Sequence, residues 1–341
     1  MAIRRKDTVL FEKPPVIAAW AAAGGKKESE GPLAAGFDFL TEDASFPDEA
    51  CANWEQAESY LQQKAAELCL RKAGISRKEV DLALAGDLQA QCTASNYTMR
   101  ALEIPFAGVY GACSTMAETL CLAASLAATG IAHQVLALTS SHFCAAERQF
   151  RTPLDYGAKR TTTAQWTATA AGACLLRSPG QPGVRVLSVT FGRVQDYAVH
   201  DINNMGAAMM PAAASTLLRY FAATGTQPSD FDAIFTGDLG EVGSGLLREQ
   251  MEREGVPLPN HRDCGCLLYD VAAQNVQAGG SGAGCSAAVL CAHILPHLQN
   301  GRYHRVLFVA TGALMSQTTF LQGESIPGIA HCVELAGEGT E

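Results

Sequence analysis

A chain of 341 residues with 48% hydrophobic and 17% charged side chains is long and apolar enough to fold as one large or two fused globular units. Its formal net charge of -9 argues against a nucleic-acid partner, which would need clustered Lys and Arg. No apolar run of about 7–15 residues follows the basic start Met1-Ala-Ile-Arg-Arg-Lys, so no secretory signal is expected.

Residues 1–50 are rich in Gly, Pro and acidic side chains and are expected to be irregular around one early strand, 15–20. Apolar positions at helical spacing over 54–73 stop at Gly74, a residue suited to a helix end. The short apolar run 81–85 predicts a buried strand closed by Gly86-Asp87. A second strand, 104–109, leads into Gly111-Ala-Cys113-Ser-Thr and an Ala/Leu-rich helix, 114–129, followed by a strand at 134–139. The most apolar stretch, 120–138, is broken by Gly130 and His133, so it reads as buried helix and strand and not as a membrane span. Helices at 212–223 and 286–298 then alternate with strands at 233–236 and 306–310. Such alternation predicts a buried, largely parallel sheet covered by helices.

The chain also repeats itself. Gly74-Ile-Ser-Arg-Lys-Glu-Val-Asp81 through Gly86-Asp87-Leu88 returns as Gly225 to Asp232 and Gly237-Asp238-Leu239. Gly130-Ile-Ala-His133 returns as Gly301-Arg-Tyr-His304 at a different offset, so the second copy carries about twenty extra residues. The expected units are 1–180, carrying Cys113, and 181–341, with an insertion at 241–266 placed outside the symmetric core. Matching histidines in both copies point to a shared structural role. The twelve scattered cysteines fit a reducing compartment in which thiols pack as small core residues. Cys264-Gly-Cys266 and the pair His293 and His297 lack further ligands, so no metal is expected.

Cys113 lies where a Gly-Ala turn delivers a strand into a helix. A helix N-terminus favours an anion, so the residue reads as a nucleophile, as the floor of an anion pocket, or as a plain packing thiol. The second copy offers Ala278-Gly-Gly-Ser-Gly-Ala-Gly284 at the matching place.

The duplicated pattern with this cysteine, over about residues 54–336, resembles the thiolase and ketoacyl synthase superfamily. Gly111-Ala-Cys-Ser-Thr, Ser140-Ser-His to Pro153-Leu, Ala164-Gln-Trp-Thr, Asn203-Asn-Met-Gly, Thr236-Gly-Asp-Leu-Gly, Ala278-Gly-Gly-Ser-Gly and Gly323-Glu-Ser-Ile-Pro-Gly-Ile-Ala-His331 together resemble the stage V sporulation protein AD family. The resemblance implies an α/β thiolase-like fold, internally duplicated, with α-β-α-β-α layers and two mixed sheets. It also implies binding of dipicolinic acid, free or as its calcium chelate, in spore formation. Other stage V sporulation A membrane proteins are implied as partners, with a homodimer and a place at the spore's inner membrane. No cofactor is implied.

Condensing enzymes supplement the cysteine with His and Asn, or with His and a second His or Cys. The matched loops here read Thr236-Gly-Asp238, Gly279-Gly280-Ser281 and Ala310-Thr-Gly-Ala, without those partners. Binding is therefore expected in place of turnover, with a Cys113-dependent acyltransferase as the alternative. The candidate ligand-binding residues are Cys113, Ser114, His142, Asp87, Asp238, Gly280, Ser281 and His331. Backbone donors are expected from the helix starts at Cys113 and Gly284. The basic segment 147–160, with Arg148, Arg151, Lys159 and Arg160, is expected to be a solvated or dimer-covering loop, or else a funnel for the anion.

Overall fold

The computed structural model describes residues 2–43, 46–48, 51–150 and 160–338. Ten strands form the body: β1 Val16–Gly24, β2 Leu82–Gly86, β3 Phe106–Gly108, β4 Gln134–Ser141, β5 Ala170–Arg177, β6 Val184–Thr190, β7 Ala233–Thr236, β8 His261–Asp263, β9 Arg305–Ala313 and β10 Gly328–Ala336. Hydrogen bonds order them β8-β7-β9-β10-β6-β1-β5-β4-β2-β3. The second five repeat the order of the first five about a central seam.

In the first half β3, β2 and β4 run parallel, while β5 is antiparallel to both β4 and β1. In the second half β8, β7 and β9 run parallel, and β10 is antiparallel to both β9 and β6. At the seam Val16 pairs with Arg185 and Ile17 with Val184. The two expected mixed sheets thus lie edge to edge within one thirteen-stranded sheet.

The covering helices are α1 Trp54–Ala73, α2 Thr93–Leu102, α3 Thr115–Thr129, α4 Phe143–Phe150, α5 Met205–Thr224, α6 Gly240–Arg253, α7 Cys264–Leu268 and α8 Ala283–Val289. A π-turn, Leu290–Ile294, carries α8 on into Leu295–Gln299. The Asn53 side chain caps α1 by accepting from Gln56 N, and Gly74 closes it in the left-handed conformation (φ 69°). Buried residues of α3 and α8 share one cluster with strands of both halves, forming the middle layer. α1 and α5 cover the outer faces of their own halves.

The repeated histidines mark matching ends. Asp81 accepts the main-chain N–H groups of His133 and Gln134, and Asp232 accepts those of His304 and Arg305. The insertion requires correction. Residues 241–263 lie inside the repeat: α6 packs on α5, with Gly243 against Gly206, and β8 pairs in parallel with β7. The extra length falls mainly at 264–282, in α7 and the loop after it. Helix α5 also begins earlier than expected, at Met205, and keeps Pro211 inside it.

Candidate functional site

The turn that presents Cys113 is built from its own hydroxyls. Ser114 Oγ donates to Gly111 O (2.6 Å), Thr115 Oγ1 donates to Ala112 O (2.6 Å), and Ala112 takes a left-handed φ of 51°. From the other half, β9 presses on this turn at Gly312. A side chain there would put its Cβ 2.2 Å from Gly111 O, so only glycine permits the approach.

Two second-half groups face the sulfur. Ser281 Oγ lies 3.9 Å from Cys113 Sγ, and the Asp238 carboxyl is its charged neighbour. Asp238 is fully buried and held by donors: Ser281 Oγ (2.8 Å) and Gly282 N (2.9 Å) to Oδ2, and Thr311 Oγ1 (2.9 Å) to Oδ1. Burial first, and Asp238 second, push the Cys113 thiol well above its ordinary value. The helix start was expected to favour the thiolate; this surrounding opposes it.

Cys113 opens onto a small cavity where residues of both halves meet. Apolar walls come from Leu88, Phe150, Ile202, Met205, Met209 and Met315, and polar ones from Glu147, Gln165, Thr167, Asn203 and Ser281. Many donors near the cavity are directed into the protein. Thr167 donates to Glu147 Oε1 (2.9 Å), and Gln165 Nε2 donates to Asp238 O (2.6 Å) and Gly280 O (2.9 Å). Arg160 Nη2 donates to Glu147 Oε2 (2.8 Å) and Nη1 to Gln165 O (2.7 Å), while its guanidinium lies over Phe143 and Trp166. The N–H groups expected to bind an anion are likewise engaged: Ser114 N with Gly111 O, and Gly284 N with Ser141 Oγ.

The sequence model of the family described as Stage V sporulation protein AD matches residues 5–336. A stage V sporulation protein AD from Bacillus subtilis (strain 168) is 42% identical over 337 residues, spanning 98% of this chain and 97% of that one. The chain belongs to the stage V sporulation protein AD family. Among solved structures it resembles 3-oxoacyl-[acyl-carrier-protein] synthase III from Aquifex aeolicus VF5 (TM-score 0.59, 13% identity, 94% of this chain and 99% of that one). It also resembles cerulenin-bound OleA from Xanthomonas campestris (TM-score 0.62, 14% identity, 96% of this chain and 97% of that one). This member of the stage V sporulation protein AD family therefore has the thiolase-like fold of those condensing enzymes. One described helical stretch, Ala112–Thr129, is long and apolar enough to cross a membrane, and 61% of it is buried as the middle-layer helix.

Of the residues named from the sequence of this stage V sporulation protein AD family member, Cys113, Ser281 and Asp238 come together. Gly280 supports them, its carbonyl accepting from Gln165 and its strand pairing with Trp166. Ser114 is turned into its own turn and is not in the cavity wall. Asp87 lies behind the wall, where it accepts from Gln89 N, Ser95 N and Ser95 Oγ. His142 is buried and its main chain donates to Glu58, outside the lining. His331 is a core histidine: Nδ1 accepts from Gly192 N (3.1 Å), the ring packs edge-on against Phe191, and burial lowers its pKa to about 4. Among the described residues of the 147–160 segment, Arg148 pairs with Glu55 and Arg160 with Glu147. Arg151 and Lys159 lie outside the described residues. Glu147, Gln165, Thr167 and Asn203 also line the cavity, although none was among the candidate ligand-binding residues expected from the sequence.

Proposed function

We propose that the chain is a non-catalytic binding protein for dipicolinic acid, free or as its calcium chelate, supporting its uptake into the developing spore. The observation that carries this reading is the company of Cys113. Its recorded neighbours are a buried carboxyl and a hydroxyl already donated to that carboxyl, where a condensing reaction needs a base and an oxyanion donor. Loss of each acid–base group costs a factor of roughly 10²–10⁴ in rate.

The cavity walls suit a flat ring. Met205, Met209 and Met315 supply polarisable thioethers and Phe150 an aromatic face. Glu147 brings a carboxylate, and no lysine or arginine is among the described lining residues. Two bare ligand carboxylates would be poorly compensated there, so the neutral chelate fits better. Calcium also favours the oxygen acceptors that Glu147 and Thr167 present. In this reading the chain acts as a homodimer at the inner membrane beside other stage V sporulation A proteins.

Calorimetric titration with dipicolinate, with and without calcium, tests the reading, and absence of heat at millimolar ligand would sink it. The rival is acyl transfer, favoured by the fold and by a cysteine opening onto a cavity at a helix start. A stable acyl adduct after incubation with acetyl coenzyme A, lost in Cys113→Ala, would establish the rival instead.

A further inference from the structure

We propose that Asp238 disarms Cys113 by taking for itself the two donors, the Ser281 hydroxyl and the Gly282 N–H, that would otherwise stabilise charge on that sulfur. The inference goes beyond ligand identity and holds whichever molecule fills the cavity.

The sulfur stands at the start of a long helix, a position that by itself promotes the thiolate. Ser281 Oγ is 3.9 Å from it, a long contact, yet only 2.8 Å from Asp238 Oδ2, and Gly282 N is 2.9 Å from the same oxygen. A hydroxyl has one proton to give, and here it goes to the carboxylate. Asp238 cannot swing away, because Thr311 holds its other oxygen from the end of β9 and Gln165 binds its carbonyl. Three chain segments thus converge on one anion beside the thiol: the end of β7, the glycine loop 278–284, and β9. Burial is the largest influence raising the thiol's pKa and the Asp238 carboxyl comes second, while Ser281 and Gly282 lower it only in part.

The test is the alkylation rate of Cys113 with iodoacetamide across pH, followed by peptide mass mapping on the full chain. The thiolate sulfur displaces iodide, forming the S–C bond, and the thiol proton passes to solvent. In the unmodified protein the rate should climb only above the usual cysteine range. Asp238→Asn should speed alkylation at pH about 8 by about tenfold or more, since each unit of pKa recovered multiplies the thiolate about tenfold. Ser281→Ala should slow it or leave it unchanged, because it removes a helping donor. The proposal is overturned if Cys113 of the unmodified protein reacts near neutral pH as fast as cysteine in solution. It is equally overturned if Asp238→Asn leaves the rate alone, or if Ser281→Ala accelerates it as much, which would mean loosened packing. Should Asp238→Asn fail to fold, the unmodified pH profile and the Ser281→Ala rate still decide.

Discussion

Replacing Glu58 with Gln should erase a pH dependence of stability seated behind the cavity. Glu58 is fully buried between α1 and the sheet, accepting from Gln89 Nε2 (2.7 Å) and Ser140 Oγ (2.9 Å). Burial, with the charge of Asp87 second, raises its pKa from 4.5 to about 8. Between those values the folded chain keeps a proton that the unfolded chain releases. Stability is therefore full below about pH 4.5, falls as pH rises towards 8, and levels off above. At about 1.4 kcal/mol per pKa unit the excursion bounds the loss near 4–5 kcal/mol. Sharing of the titration with Asp87 brings the expected loss to about 2–3 kcal/mol. Glutamine imitates the protonated acid: its Oε1 can still accept from Gln89, while its Nε2 can only donate, towards Ser140 Oγ. Glu58→Gln should therefore lose this component of the pH dependence and leave that of the other buried carboxyls. Urea unfolding of both proteins at about pH 5, 7 and 9 measures the difference directly. Parallel profiles for the two proteins would refute the reasoning.

Three further outcomes are expected. Gly312→Ala should cost about 1–3 kcal/mol by thermal unfolding, because its Cβ would meet Gly111 O at 2.2 Å and Cys113 N at 3.3 Å; an unchanged Tm would contradict the nesting of β9 on that turn. Tyr269→Phe removes a phenol donor from the buried Glu28 carboxyl and should cost about 1–3 kcal/mol in urea unfolding, and a neutral effect would argue against that bond. Among the described residues no group of three His, Cys, Asp or Glu side chains is placed to hold a metal ion, so dialysis against EDTA should move Tm by less than about 1 °C.

The strands and helices were legible where apolar runs ended at punctuating residues, as α1 does at Gly74 and α3 at Gly130. The duplication was legible because Asp81 and Asp232 perform the same task for His133 and His304. The same alignment brought Asp238 and Ser281 to Cys113. It misplaced the insertion because β8 is only three residues long and polar, leaving no apolar run to announce an edge strand. Glu147, Gln165 and Thr167 sit in segments that carry the family resemblance, yet nothing in their spacing marked them as cavity wall. Their roles arise when Trp166–Thr167 pairs with Gly280–Ser281, a contact between distant parts of the chain that no spacing encodes. Asp87, His142 and His331 lie outside the cavity lining: Asp87 accepts from Ser95 and Gln89, the His142 main chain donates to Glu58, and His331, within β10, accepts from Gly192, contacts that no spacing announces.

The links between the halves include the ladder joining Val16 and Ile17 to Arg185 and Val184, the pairing of Trp166–Thr167 with Gly280–Ser281, and Gly312 seated on Gly111. Such a body cannot gape like a clam without breaking main-chain bonds. Beside that frame, the described residues 142–150, 160–169 and 314–327 reach the cavity wall through Glu147, Phe150, Gln165, Thr167 and Met315. A solute at Cys113 therefore meets loops rather than ladder, and the paired frame need not part to hold it.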